Sequence, residues 1–507
     1  MDGQTQAAPP SDRPVATDAP APAPGTRTGH DDRLSRENFL VVALLLASGF
    51  VVILNETTMG VALPPIMDEL GITASTGQWL TTAFMLTMSV VIPTTGWLLQ
   101  RLGTRGAFIL AMSLFSAGTL LAALSPGFGL LVTARVVQAS GTAIMMPLLM
   151  TTIMTVVPPH HRGRVMGNVS LVIAVAPALG PTMSGAVVTS LGWRAVFWVV
   201  LPIALAALTV GAVLVRDVAD RSRQRLDLLS LLLATVAFGG LVYGLSALGE
   251  SARHAMPVSP AVPLGVGTAV LALFVWRQLV LQRTDAALLD LRVFRAKGFA
   301  LGVGILSVSM IAMFGAIILI PLVLQQAMGL APLTSGLVLL PGGLAMGLLG
   351  PVVGNLYDKV GPRPLVLPGV AGVGVSMLLF AMLTPTSPVV MVLVANLALS
   401  LSLALVFTPV FTTALGGLQP RLYSHGSAAI STVQQLAGAA GTALFVAILT
   451  LREVALLDGG TSAPYALTGG ARTAFVVGAV VMIGAVLLTT RLRRPPSPEG
   501  AGGPAFH

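Results

Sequence analysis

"PTTGWLLQRLGTR" at residues 93–105 returns as "PVVGNLYDKVGPR" at 351–363, an offset of 258. The two stretches share a frame of Pro, Gly, Leu, a basic residue, Gly and Arg. Each follows a long apolar run and is rich in charge. A chain that repeats itself at equivalent points of two halves reads as an internal duplication. In membrane proteins such duplications build two lobes that rock around a central site.

Composition supports the membrane reading. Of 507 residues, 55% are hydrophobic and only 9% charged, against ~25% charged in soluble domains. A spanning helix needs ~20 mostly apolar residues. Runs of that kind fall near 39–62, 76–99, 106–125, 129–156, 167–190, 195–215, 228–248, 261–281, 299–321, 332–355, 363–383, 388–415, 426–450 and 472–491. They predict fourteen spans. The repeated stretches then follow the second and the tenth, which makes two six-span units with spans seven and eight inserted between them.

Residues 1–38, rich in Pro, Ala and charge, have little to bury and predict a disordered tail. The end of the chain, 492–507, reads as a second tail. Of the 28 Lys and Arg, 23 gather on the side that holds both ends. By the positive-inside rule that side is the cytoplasm. The net charge of +9 is thus topological and points away from nucleic acid. The chain has no cysteine, which excludes disulfides and thiolate chemistry. No metal-ligand cluster, phosphate loop or nucleophile triad appears, so neither an enzyme nor an ATP-hydrolysing pump is expected.

With these motifs in place, the chain resembles the major facilitator superfamily, and within it the fourteen-span drug:proton antiporters, from about residue 39 to 490. "GWLLQRLGTR" follows that family's loop after the second span, but Gln100 stands where the family has aspartate; the second copy keeps it as Asp358. The resemblance implies gating loops at Gly96, Gln100, Arg101, Gly103 and Arg105 and at Gly354, Asp358, Gly361 and Arg363. "LLVTARVVQASGTAIMMP" resembles the arginine-bearing fourth span, with Arg135 and Gln138. "APALGPTMSG" is similar to the antiporter signature through Gly180, Pro181 and Gly185, with Ser184 replacing a glycine. Small residues let membrane helices approach closely and proline kinks them, so these positions are expected to form a hinge; the resemblance implies export.

The residues argue for themselves at one further place. In "GFVVILNETTMGVALPP", 49–65, Glu56 is the one acidic residue well inside a span. A carboxylate at a span centre costs ~2.5–3.5 kcal/mol to insert, so an intramembrane acid is a functional-site hypothesis. It predicts a proton carrier beside a watery cavity. The family pattern would place the acid at Asn55, one residue earlier, about 100° around the helix. Arg135 is the matching basic residue within a span and is expected to link protonation to substrate release. Asn55, Thr57, Phe84, Gln138, Met145 and Gln325 are candidates for the cavity wall. The methionines at 145, 146, 150, 154, 310 and 313 suit varied apolar ligands.

These readings predict an all-α polytopic protein of the bacterial plasma membrane with the major facilitator fold. Its parts are bundles at 39–215 and 299–491, an insert at 216–298, and both termini in the cytoplasm. The expected function is proton-coupled efflux of amphipathic drugs or antibiotics, by a monomer that needs no cofactor beyond the proton gradient. The alternative is transport of one specific metabolite or self-made antibiotic. One proton crossing ~150 mV yields roughly 3.5 kcal/mol, and each decade of gradient takes ~1.4 kcal/mol. One carboxylate therefore favours neutral or singly charged substrates.

Overall fold

The computed structural model describes residues 2–3, 36–217, 226–251 and 259–492. The two expected tails lie almost entirely outside these residues. Every regular element among those described is helical. The helices are α1 (Arg36–Leu70), α2 (Ala74–Val91), α3 (Thr95–Ala123), α4 (Phe128–Val156), α5 (Arg162–Leu191), α6 (Trp193–Leu214), α7 (Leu228–Ser251), α8 (Ala261–Leu281), α9 (Lys297–Leu322), α10 (Pro332–Val360), α11 (Arg363–Ala381), α12 (Val389–Gly416), α13 (Tyr423–Asp458) and α14 (Ala463–Thr489).

Among the described residues, 13 helical segments are long and apolar enough to cross a membrane. One runs 48 residues, Thr76–Ala123, through α2, a 3-10 turn and α3. The helix breaks inside it at Gly103, with φ 72 and ψ 176. Gly361, its counterpart in the second copy, has φ 81 and ψ −174 and stops α10. Only glycine adopts this backbone readily. The repeated glycine is thus a repeated chain break, and both breaks have the same shape.

Expected ends differ from observed ones where polar residues continue a helix. The helix α1 starts at Arg36 and runs on to Leu70. α14 begins at Ala463, and α13 continues to Asp458. Arg452 and Arg472 both lie on helices and are exposed. Long basic side chains reach water from helix ends, so charge alone does not mark where a helix stops.

In the first half α3 packs on α4 and α6, and α1 on α5 and α6; in the second, α9 packs on α13, and α11 on α12 and α14. The α7–α8 pair rests through α7 on α2 and α13. It is clamped at one end by a two-pronged ion pair, Arg277 Nε and Nη2 on the Asp227 carboxylate at 2.7 and 2.8 Å. The halves meet along α5 and α10. A Cβ on Gly354 would lie 2.1 Å from the Gly163 carbonyl, and one on Gly350 2.5 Å from the Gly167 carbonyl. Backbone approaches backbone here because four glycines, each pair spaced four apart, leave room; small residues serve membrane helices in this way.

Candidate functional site

A cavity of about 640 Å³ lies between the halves. It falls within the ~300–1,000 Å³ of small-molecule sites. From α1 come Glu56 and Thr57; from α4 Met145, Met146 and Met150; from α9 Met310, Met313 and Phe314; from α12 Asn396 and Ser400; from α13 Ser431, Gln434 and Gln435. Glu56 is half-buried and, among the described residues, is the one charged residue in the wall. The rest is mostly apolar, and no lysine or arginine faces the space.

Why Glu56 points inward follows from its helix. Thr57 Oγ1 turns back to the Leu54 carbonyl at 2.9 Å, and Thr58 Oγ1 to the Asn55 carbonyl at 2.8 Å. Both hydroxyls are satisfied locally and leave the carboxylate alone with the cavity. α5 presses on the same turn: a Cβ on Gly180 would fall 2.0 Å from Thr57 Oγ1. Ser184 Oγ donates to the Thr58 carbonyl at 3.0 Å. Gly180 is therefore a required small residue. Gly185 is not, since its nearest neighbour would be Val61 at 4.0 Å, an ordinary contact. α5 is one continuous helix through Gly180, Pro181 and Gly185.

Arg135 is buried behind the wall. Its guanidinium lies 4.1 Å over the Phe84 ring. Nη1 donates to Gln138 Oε1 at 2.5 Å and Nε to the Leu80 carbonyl at 3.5 Å. Gln138 Nε2 donates in turn to Thr119 Oγ1 at 2.8 Å. Arg135 and Glu56 act on each other electrostatically, but no ion pair within 4.0 Å joins them. Arg135 is thus held by an amide, a carbonyl and a ring.

Of the six predicted wall residues, Thr57 and Met145 line the cavity. Asn55 does not: it is buried, and neither atom of its side-chain amide has a hydrogen-bond partner. The turn of the helix that aims Glu56 inward carries Asn55 away. Phe84 and Gln138 instead hold Arg135. Gln325 is exposed in a π-helical turn, Val323–Ala327, at the end of α9. Five of the six methionines line the wall; Met154 faces a second cavity near the first repeat. Sequence reasoning missed Gln434 and Gln435, though two adjacent amides inside a span, "STVQQLAG", were a signal.

At the repeats, Asp358 Oδ1 and Oδ2 accept from the backbone N–H groups of Gly163 and Arg164 at 2.9 and 3.0 Å. Gln100 Nε2 donates to the Arg421 carbonyl at 3.1 Å, and the backbone N–H of Arg105 to Asp217 Oδ1 at 3.1 Å. Gly96 packs on His425. Arg101 and Arg363 are exposed. Each copy thus reaches the start of a helix in the other half, α5 or α13.

The pattern of the Major Facilitator Superfamily matches residues 45–442. The lincomycin resistance protein LmrB of Listeria monocytogenes is 38% identical over 459 residues, covering 90% of this chain and 96% of that protein. The multidrug resistance protein B homolog of Mycobacterium tuberculosis is 30% identical over 451 residues, covering 86% and 82%. Among solved structures, a human organic anion transporter has a TM-score of 0.61 at 16% identity, covering 89% of this chain and 99% of its own. A proton:xylose symporter has 0.61 at 14%, covering 92% and 98%. These two structures bear on the fold alone.

Proposed function

The chain belongs to the major facilitator superfamily, and from that premise we propose that it exports amphipathic drugs or antibiotics in exchange for protons, by alternating access. One observation carries the reading: Glu56 is the single charged group on a mostly apolar cavity that both halves line. A carboxyl so placed can hold a proton or a cationic substrate group, but not both. Protonation from outside releases the substrate; its loss to the inside readies the site to bind again. Arg135, near enough to act electrostatically, biases this exchange without occupying the carboxylate. The names of the Listeria and Mycobacterium relatives support drugs as the cargo. No cofactor enters the scheme; the proton gradient supplies the energy.

The same reading takes the chain as fourteen spans. At ~1.5 Å per residue, the 48-residue segment would be roughly 72 Å long, more than twice the ~30 Å hydrocarbon layer. The break at Gly103 divides it into two spans. Bundles at 39–215 and 299–491 then flank the α7–α8 insert, and the arginine-rich ends face the cytoplasm. In this scheme the Asp358 and Gln100 contacts tie the two halves together on that face.

The test is a drug-susceptibility panel with uptake into inverted vesicles. Wild type should raise resistance and accumulate substrate when a pH gradient is imposed. Glu56→Gln should lose at least tenfold of gradient-driven uptake. Equal uptake by wild type and variant would sink the proposal.

A further inference from the structure

The second-half wall of the cavity holds polar groups that the export cycle does not use. Gln434 and Gln435 are consecutive on α13, both half-buried and both on the cavity. No hydrogen bond from the protein engages either side-chain amide. Ser427 and Ser431 lie on the same face of α13, at the four-residue spacing of a helical stripe. Ser427 is already engaged, donating to the Tyr423 carbonyl at 2.8 Å and accepting from Thr151. Asn396 gives its amide N–H to the Leu339 carbonyl at 3.1 Å. Ser400 and Ser431 add one hydroxyl each and Asn396 its amide oxygen, but the two complete amides of the glutamines are the larger part of the free hydrogen-bonding capacity of this wall.

An amide carries two donors and an acceptor with two lone pairs. Leaving such a group unmet in an apolar site is unfavourable. The cavity is thus polarised. Glu56 offers one negative charge from the first half, methionines and Phe314 fill the middle, and neutral amides face it from the second half.

We propose that Gln434 and Gln435 determine specificity: they select amines with an apolar body and a hydroxyl- or amide-bearing end, bound with the amine toward Glu56 and that end toward α13. The inference rests on the export reading for its cargo. An apolar pocket alone discriminates weakly between ligands, whereas a site whose amides must be matched rejects ligands lacking the partner group far more strongly.

The experiment compares two monocations in inverted vesicles under an imposed pH gradient. Lincomycin is an amine that carries an amide and several hydroxyls; tetraphenylphosphonium has no hydrogen-bonding group. Gln434→Leu and Gln435→Leu, singly and together, should raise the KM for lincomycin at least tenfold relative to that for tetraphenylphosphonium. Equal changes for both probes, or none, would overturn the proposal. If the leucine variants fail to fold, Gln434→Asn and Gln435→Asn shorten the reach and should shift the same ratio about threefold; an unmoved ratio counts against the proposal. Equilibrium binding of both probes to the purified full chain, without a gradient, separates the two readings. A selective loss of lincomycin binding in the glutamine variants, with no transport by wild type, retains the specificity wall and removes the export reading. Failure of wild type to bind lincomycin removes the wall.

Discussion

The two copies of the repeat have one backbone and two chemistries. Gly103 and Gly361 break the chain with nearly the same dihedral angles. At the second copy, the Asp358 carboxylate accepts two backbone N–H groups in the first turn of α5. That is a negative charge on the positive end of a helix, a favourable placement. At the first copy, Gln100 donates to a carbonyl before α13. Charge reaches this region from elsewhere: Asp290 and Arg292, in the segment between α8 and α9, are ion-paired, and Arg292 also pairs with Asp285. These groups line a second cavity, about 740 Å³, together with Gln100 and His425. His425 Nδ1 accepts from the Asp290 backbone N–H at 3.3 Å. Duplication kept the turn and let the direction of hydrogen bonding reverse.

The largest expected difference between the copies is steric. Gly354→Val places a side chain against the Gly163 carbonyl, which cannot yield, and should abolish transport in vesicles and lower the amount of folded protein. Gly96→Ala meets the His425 ring first, 2.7 Å away, and should keep measurable transport; equal losses would show that the copies are interchangeable. Next comes the helix end. Asp358→Ala removes the acceptor for two N–H groups and should destabilise the protein by about 1 kcal/mol, the usual size for a lost cap, read by thermal unfolding in detergent. Gln100→Asp is smaller and opposite to what the family pattern suggests. An aspartate cannot donate to the Arg421 carbonyl, so the change should lower stability by about 0.5–1 kcal/mol; a gain would mean that the carboxylate finds a donor there.

The smallest effect concerns pH. Hydrogen bonds from Arg277 hold the Asp227 carboxyl down at about 2. A depressed value stabilises the fold above the ordinary carboxylate range near 4 and loses that contribution as pH falls toward 2. The difference in melting temperature between wild type and Asp227→Asn should stay constant from pH 5 to 8 and shrink below about pH 4. A drift within the neutral range would mean that the clamp itself responds to pH.

Glu56 was legible because a lone acid in an apolar run has few structural excuses. The repeat was legible because its glycines serve a backbone shape, which spacing preserves. Asn55 was misplaced because a family pattern fixes a position along the chain, while one residue turns the side chain about 100°. Gln138 and Phe84 sit close to the site in sequence logic, yet they hold Arg135 from behind; only packing decides which face a residue takes. Gln325 was read as wall, but the part of α9 that lines the cavity ends at Pro321, and one turn later Gln325 stands exposed in the π-helical turn. The glycine crossing of α5 and α10 stayed hidden because each glycine is ordinary until its partner helix is known.

That crossing makes an axle, and it is set off-centre. Its tightest contacts, Gly163 with Gly354 and Gly167 with Gly350, fall in the first turns of α5 and the last turns of α10. A 30-residue helix is about 45 Å long, so five degrees of tilt about that end sweeps the far end through roughly 4 Å while the near end hardly stirs. In the proposed alternating-access cycle, leverage of this kind would open one mouth easily and leave the other shut until the glycines slide apart. The grip of Asp358 on the start of α5 is then the first thing that must let go.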